Sequence, residues 1–324
     1  MQQNPGKFIV GAYVSSISLR RWDVKDETLF YRSLRERPGI RGLEHPFYGK
    51  LHRYDDRWFL DNIDPDWEFV LTCLPGTVDQ LKINSSFGLA SDDASAQSAA
   101  LEFIFAANQA VKKLNKHLGK KATLAVLVHS APAKNSSKES FARALETICG
   151  WDWEGAKILV EHCDAFRKDE THAKGFLSLE DEVWAIREAQ KTKLSTPLVA
   201  MLNWGRSVVE GRDVGRVLEH IEKLKKENLL KGFLFSGTTS AYTDKHTPPP
   251  TPHNGKLLAA DSLMTKEEMR KSLQALPREG LDFLGFKIMP NPIPADCRDN
   301  LVYIDSFLDF LSGVVENRES DTKL

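Results

Sequence analysis

Cysteine is scarce in this chain of 324 residues: Cys73, Cys149, Cys163 and Cys297 are scattered and no two form a CxxC pair. That excludes a disulfide-stapled scaffold or a cysteine-built zinc clip, and it points to the reducing cytoplasm. A dominant charge is also missing, since 44 Lys and Arg stand against 45 Asp and Glu for a formal net charge of −1. No overall basic field exists to gather nucleic acid or an anionic membrane. Long apolar runs are absent too, so no membrane-spanning helix is expected. Residues 1–7 lack the basic-then-apolar order of a secretion signal. Gly, Pro and Ser cluster only in short loops, so nothing marks a linker. The expectation is one domain over 1–315 with a polar tail at 316–324; nothing in the sequence fixes an oligomeric state.

What remains is an ordinary globular composition, 41% hydrophobic and 27% charged, with a strong repeating order. Apolar runs of strand length lie at Phe8 to Tyr13, Ile40 to Glu44, Glu68 to Leu74, Thr123 to His129, the run ending in Glu161, Leu198 to Asn203, Gly232 to Ser236 and Phe283 to Met289. Each is followed by polar residues and then by apolar residues spaced three and four apart, as in Leu101, Ile104, Phe105, Val111, Leu114 and Leu118. Strands alternating with helices in this way predict a single α/β (β/α)8 TIM barrel. Two connections look long for a minimal barrel, Leu74 to Ser95 and Ser236 to Ala260, the second stiffened by Pro248, Pro249, Pro250 and Pro252. Both would lie at strand C-termini, where barrel enzymes place their chemistry.

The residues at those strand ends form a polar ring: Glu44 and His45, His129 and Ser130, Glu161 to Asp164, Asn203 to Arg206, Ser236 and Lys287. Acids, bases and fixed cations on one face suit proton transfer on a small hydroxyl-rich or anionic molecule. Each residue singly could equally cap a helix or pair with a neighbour. The pleat puts Glu161 and Cys163 on one side of their strand and His162 and Asp164 on the other. Cys163 therefore has no adjacent histidine to activate it and reads as a buried, inert thiol, with His162 as a structural support. Trp22 and Trp58 could stack on sugar faces. Trp204, at a strand end, is placed in the pocket, whereas Trp151 and Trp153, just before the fifth strand, are expected to plug the barrel bottom.

Val126-Leu127-Val128-His129-Ser130 followed by Ile158-Leu159-Val160-Glu161 resembles strands four and five of the xylose isomerase-like barrel superfamily, which includes sugar isomerases, epimerases, dehydratases and a DNA-repair endonuclease. Val128 to Pro132, Val160 to Asp164, Leu202 to Ser207 and Glu210 to Asp213 more closely resemble an uncharacterised bacterial domain-of-unknown-function family within that fold. The superfamily resemblance implies a divalent metal held by Glu, Asp, His and Glu at the ends of strands five to eight. Here Glu161 fits the first position, but Asn203, Ser236 and Lys287 stand at the others, so three of four expected ligands are replaced. An ammonium at such a place opposes a cation. Asp244-Lys245-His246 resembles an Asp-x-His element of the endonuclease branch, and His129 matches a ligand position there. Glu161, His129, Asp244 and His246 could close a four-ligand site, or Asp244 and His246 could simply order their loop. Without a metal, Lys287 and Arg206 would neutralise an enolate or bind an anion.

The expected function is an enzyme acting on a small sugar or sugar acid by proton transfer next to a carbonyl. Glu161 would be the base and His129 or Glu44 the proton partner. Lys287, Asn203, Trp204, Arg206 and Ser236 would hold the substrate. The alternatives are a non-catalytic carbohydrate-binding or regulatory barrel and, third, a metal-dependent phosphodiester hydrolase.

Overall fold

The computed structural model describes residues 7–16, 21–239, 262–289 and 297–320. Its sheet is closed: β1 (Phe8–Val10), β2 (Ile40–Pro46), β3 (Glu68–Thr72), β4 (Thr123–Val128), β5 (Lys157–Glu161), β6 (Leu198–Asn203), β7 (Leu230–Ser236) and β8 (Phe283–Lys287) pair in parallel in chain order. β8 returns to β1 with Ile9 opposite Gly285. All eight strands expected from the sequence are present, the first, third, fourth and eighth ending one to three residues early. Around them lie α1 (Val24–Arg35), α2 (Asp56–Asn62), α3 (Leu74–Ile83), α4 (Ala94–Leu118), α5 (Lys138–Cys149), α6 (Leu179–Ala189), α7 (Trp204–Gly211), α8 (Gly215–Lys226), α9 (Lys266–Ala275) and α10 (Cys297–Ser320).

Local chemistry starts and stops these helices. Asp23, Asp55, Asp93, Ser137, Ser178 and Thr265 each accept a hydrogen bond from an amide of the first turn. α4 ends at Gly119, whose φ of 65° is the left-handed cap that glycine supplies without strain. The stretch after the third strand differs from the expectation of an extended loop. Leu74-Pro75 opens α3, because a proline in the first turn lacks only an amide that would have had no partner there.

Two apolar layers result. Ile9, Val70, Ala125, Leu127, Leu159, Met201, Leu234 and Phe283 fill the barrel interior, and a larger layer packs strands against helices. Phe283 occupies the interior against Gly232, where a Cβ would fall 2.4 Å from the ring. Trp151 and Trp153 do not plug the bottom. Trp151 meets Phe105 of α4 edge-on and the Trp153 indole donates to the Ile148 carbonyl of α5, so both belong to the outer layer. At the bottom, ion pairs cross the strand starts instead: Lys157 to Asp282 at 2.6 Å, and Arg41 to Glu68.

Candidate functional site

The strand C-termini bring six of the sequence-derived residues into one polar array, two hydrogen-bonded groups joined by an ion pair. Glu161, the last residue of β5, is fully buried. His129, just past β4, donates from Nε2 to its Oε2 at 2.8 Å, and Asn203, ending β6, donates from Nδ2 to Oε1 at 3.1 Å. Ser236, ending β7, gives its hydroxyl proton to Asn203 Oδ1. Lys287, ending β8, reaches Glu44 Oε1 of β2 at 2.7 Å and lies 3.9 Å from Glu161 Oε1. The array therefore runs His129, Glu161, Lys287, Glu44 across the barrel mouth. Glu44 Oε2 and His129 Nδ1 are buried and have no partner among the described residues.

Gly11, one residue after β1, makes this packing possible. A Cβ there would fall 2.4 Å from Lys287 Cβ and 2.5 Å from Glu44 Oε2. Tyr13, two residues on, was not foreseen as a site residue; the Lys287 ammonium lies 6.0 Å from its ring centre. The signal was its place at the end of the first apolar run, concealed because a tyrosine reads as part of that run. A small hollow of about 60 Å³ opens beside it, lined among others by Tyr13, His45, Tyr48, His52 and Tyr54. Trp22 stacks on Tyr54 at its edge, with ring centres 5.0 Å apart.

The two carboxyls are driven apart. Burial alone would raise Glu161, but the Lys287 ammonium, the His129 hydrogen bond and Arg206 outweigh it and hold the group ionised, far below the usual carboxylate range. Burial dominates for Glu44, which stays raised despite Lys287. Burial opposes the Lys287 ammonium, but the Glu44 and Glu161 carboxyls beside it outweigh burial and raise the group.

Other expected residues fall elsewhere. Trp204 is fully buried in the outer layer and donates to Ser272 of α9 at 3.1 Å. As the first residue of α7 it turns away from the mouth. Trp58 likewise donates outward to Thr28. His45 lies against Phe59 at 4.1 Å, kept neutral as burial lowers it to about 3. Cys163 is sealed beside Leu74, Ala131 and Phe176, and burial pushes its thiol far up, away from reactivity. Arg206 is buried near the mouth, 3.9 Å from Asp164. Asp244 and His246 lie outside the described residues.

His162 faces outward, as its pleat requires, into a second buried network. Its Nδ1 meets Glu182 of α6 and its Nε2 meets Glu210 of α7, both at 2.7 Å. Glu182 also takes the Ser130 hydroxyl, while Glu210 takes the Ala165 amide and Arg216. His162, Glu210 and His220 are the donor group that, among the described residues, could gather round an ion. Both His162 nitrogens are already engaged by carboxylates and Arg216 sits on Glu210, so the network balances its charge without one.

Comparison with solved structures gives the same fold. The chain is similar to a xylose isomerase domain protein from Alicyclobacillus acidocaldarius (13% identity, TM-score 0.55, covering 96% of this chain and 99% of that one). It is similar to 3-keto-D-glucoside 4-epimerase from E. coli (11%, TM-score 0.53, 96% and 99%). A sugar phosphate isomerase/epimerase from Parabacteroides distasonis also matches (13%, TM-score 0.52, 98% and 94%). In sequence the chain is 32% identical over 307 residues to an uncharacterized protein of Salmonella typhimurium, covering 91% of this chain and 93% of the relative. With a family model matching residues 9–303, on a xylose isomerase-like (β/α)8 barrel, the chain belongs to the family described as domain of unknown function DUF4862.

Proposed function

We propose that the protein is an enzyme that moves a proton next to the carbonyl of a small sugar or sugar acid, in the manner of an isomerase, epimerase or lyase. The observation that carries this reading is the pair of buried carboxyls, Glu161 and Glu44, pushed in opposite directions on either side of the Lys287 ammonium. Two titratable groups with divergent proton affinities define an acid and a base. Glu161, ionised, is the base. Glu44, raised, is the proton donor, with His129 orienting Glu161 through Nε2. Lys287 and Asn203 stabilise negative charge as it develops on the substrate oxygen. The low proton affinity of Glu161 means that abstraction must be coupled to proton donation at Glu44. The isomerase and epimerase named among proteins of this fold agree with the reaction class.

The metal site implied by the superfamily does not fit these residues. At the other three expected ligand positions stand the Asn203 amide, the Ser236 hydroxyl and the Lys287 ammonium, and the ammonium already bridges toward both carboxyls. A divalent ion there would meet a fixed like charge with one carboxylate ligand from the expected set. Elemental analysis of chelator-free protein is expected to find far less than one divalent ion per chain. A stoichiometric ion that Glu161→Gln abolishes would reverse the assignment of Lys287.

A second reading, a sugar-binding barrel without chemistry, is favoured by the fact that both oxygens of Glu161 already accept hydrogen bonds. Incubation of the protein with aldoses, ketoses and sugar acids in D2O separates the two. Proton transfer writes deuterium into the carbon beside the carbonyl, read by mass spectrometry. Exchange that falls by about a hundred-fold or more in Glu161→Gln is expected, the usual worth of a general base. Ligand protection without exchange in the native protein would establish the binder instead.

A further inference from the structure

The largest unmet donor capacity near the mouth belongs to Arg206. Its side chain is 2% exposed as a residue, and its Nε and Nη1 have no partner among the described residues. The closest acid, Asp164, places Oδ1 3.9 Å from Nη1, beyond a hydrogen bond, and that oxygen is also unpartnered. Asp164 Oδ2 is occupied by the amides of Lys174 and Gly175. A guanidinium kept out of water with open donors is costly unless something fills them.

The surroundings point to what fills them. α7 begins directly at the end of β6, and Asn203, in the capping position, spends its side chain on Glu161 and Ser236 rather than on the helix. The first-turn amides are therefore uncapped, and the positive end of the helix dipole faces the mouth. Lys174 adds a second cation; burial and then Arg206 itself lower its hold on a proton. Arg206 also helps to favour the ionised form of both Glu161 and Glu44. The Asp164 carboxylate offsets part of this positive charge but leaves Nε and Nη1 of Arg206 without a hydrogen bond among the described residues. The orphaned Asp164 Oδ1 asks for the opposite, a hydroxyl that can donate.

Resting on the small-sugar reading of the same site, we propose that the ligand carries an anionic group, carboxylate or phosphate, which Arg206 and the start of α7 receive. A neighbouring hydroxyl donates to Asp164 Oδ1. A hydroxy acid satisfies both orphans at once, whereas a neutral sugar leaves the guanidinium unpaired. The same geometry sets the division of labour: Arg206 and Asp164 recognise one end of the molecule, and Glu161, Lys287 and Glu44 act on the other.

The test is binding, by thermal shift and calorimetry, of D-gluconate, glucose 6-phosphate, inorganic phosphate and the neutral polyol sorbitol. The anionic sugars are expected to protect the protein at millimolar concentration and sorbitol not to. Preference for gluconate identifies a carboxylate, and preference for glucose 6-phosphate identifies a phosphate. Arg206→Gln should weaken the preferred anion by about ten-fold or more, the usual worth of a charge-assisted bond. Arg206→Lys and the partly exposed Lys174→Gln give smaller losses and serve if Arg206→Gln does not fold. Equal binding of sorbitol, no protection by any anionic probe, or affinity unchanged in all three variants would overturn the proposal. Anion binding without deuterium exchange would keep this subsite and sink the proton-transfer reading. Exchange on neutral sugars without anion preference would do the reverse.

Discussion

Lys287 shows how one side chain organises the mouth. Its ammonium is 2.7 Å from Glu44 and 3.9 Å from Glu161, and all three residues are almost wholly buried. Removing it leaves two carboxyls facing each other out of water, so Lys287→Met should cost about 3–5 kcal/mol at neutral pH, the usual penalty for orphaning a buried charge. Urea unfolding checks this, and adding Glu44→Gln should restore much of the loss. A single-variant cost within that of a surface substitution would show that Lys287 does not neutralise the pair. Glu44, His129, Glu161, Asn203, Ser236 and Lys287 were legible in the sequence because each lies at or near the end of an apolar run, and the barrel aims such positions at one face. Trp204 defeated the same rule. It follows Asn203 by one residue, but the chain has already turned into a helix there, and the new period sends the indole to Ser272. Gly11 was invisible as a site residue, since what matters about it is the atoms it lets in.

Among elements, β5 is the one that serves two layers. Glu161 faces the mouth and His162 faces α6 and α7, one residue and one pleat apart. Burial would lower the His162 imidazole, but the Glu182 and Glu210 carboxylates outweigh it and raise it from 6.5 to about 10. A raised histidine contributes stability that is fully present below its unfolded value and fades as pH rises through the folded one. The thermal midpoint should accordingly decline between about pH 6.5 and 10, and His162→Gln should flatten that decline while lowering the midpoint at neutral pH. A native profile as flat as the variant's would show that the imidazole is not held charged. The pleat argument foresaw a supporting role for His162. It could not foresee the partners, because Glu182 and Glu210 are distant in sequence and nothing in either helix distinguishes a buried acid from a solvated one. α3 was missed for a simpler reason, since Leu74-Pro75-Gly76 reads as a turn until the proline is seen as a first-turn residue.

At the scale of the whole molecule, the closed sheet leaves no edge, and the pairing of β8 with β1 makes the first and last strands neighbours. This architecture was legible from end to end because the periods of strand and helix alternate without a break. The outer network adds a constraint that the sheet does not. Ser130, His162 and Glu182 precede the turn after α6, whereas Glu210 and His220 follow it. Dividing the chain near Thr192 would therefore tear a charged cluster in two and break the buried His162–Glu210 pair that spans the cut. Dividing it at Gly119 would leave the whole cluster on one piece. Co-expressed fragments should reassemble into a soluble complex from the second cut and fail from the first, with size-exclusion chromatography as the readout. Equal recovery from both would mean that the cluster does not bind the units together. A barrel of eight similar units is thus not equally divisible at every seam: units four to six behave as one indivisible block.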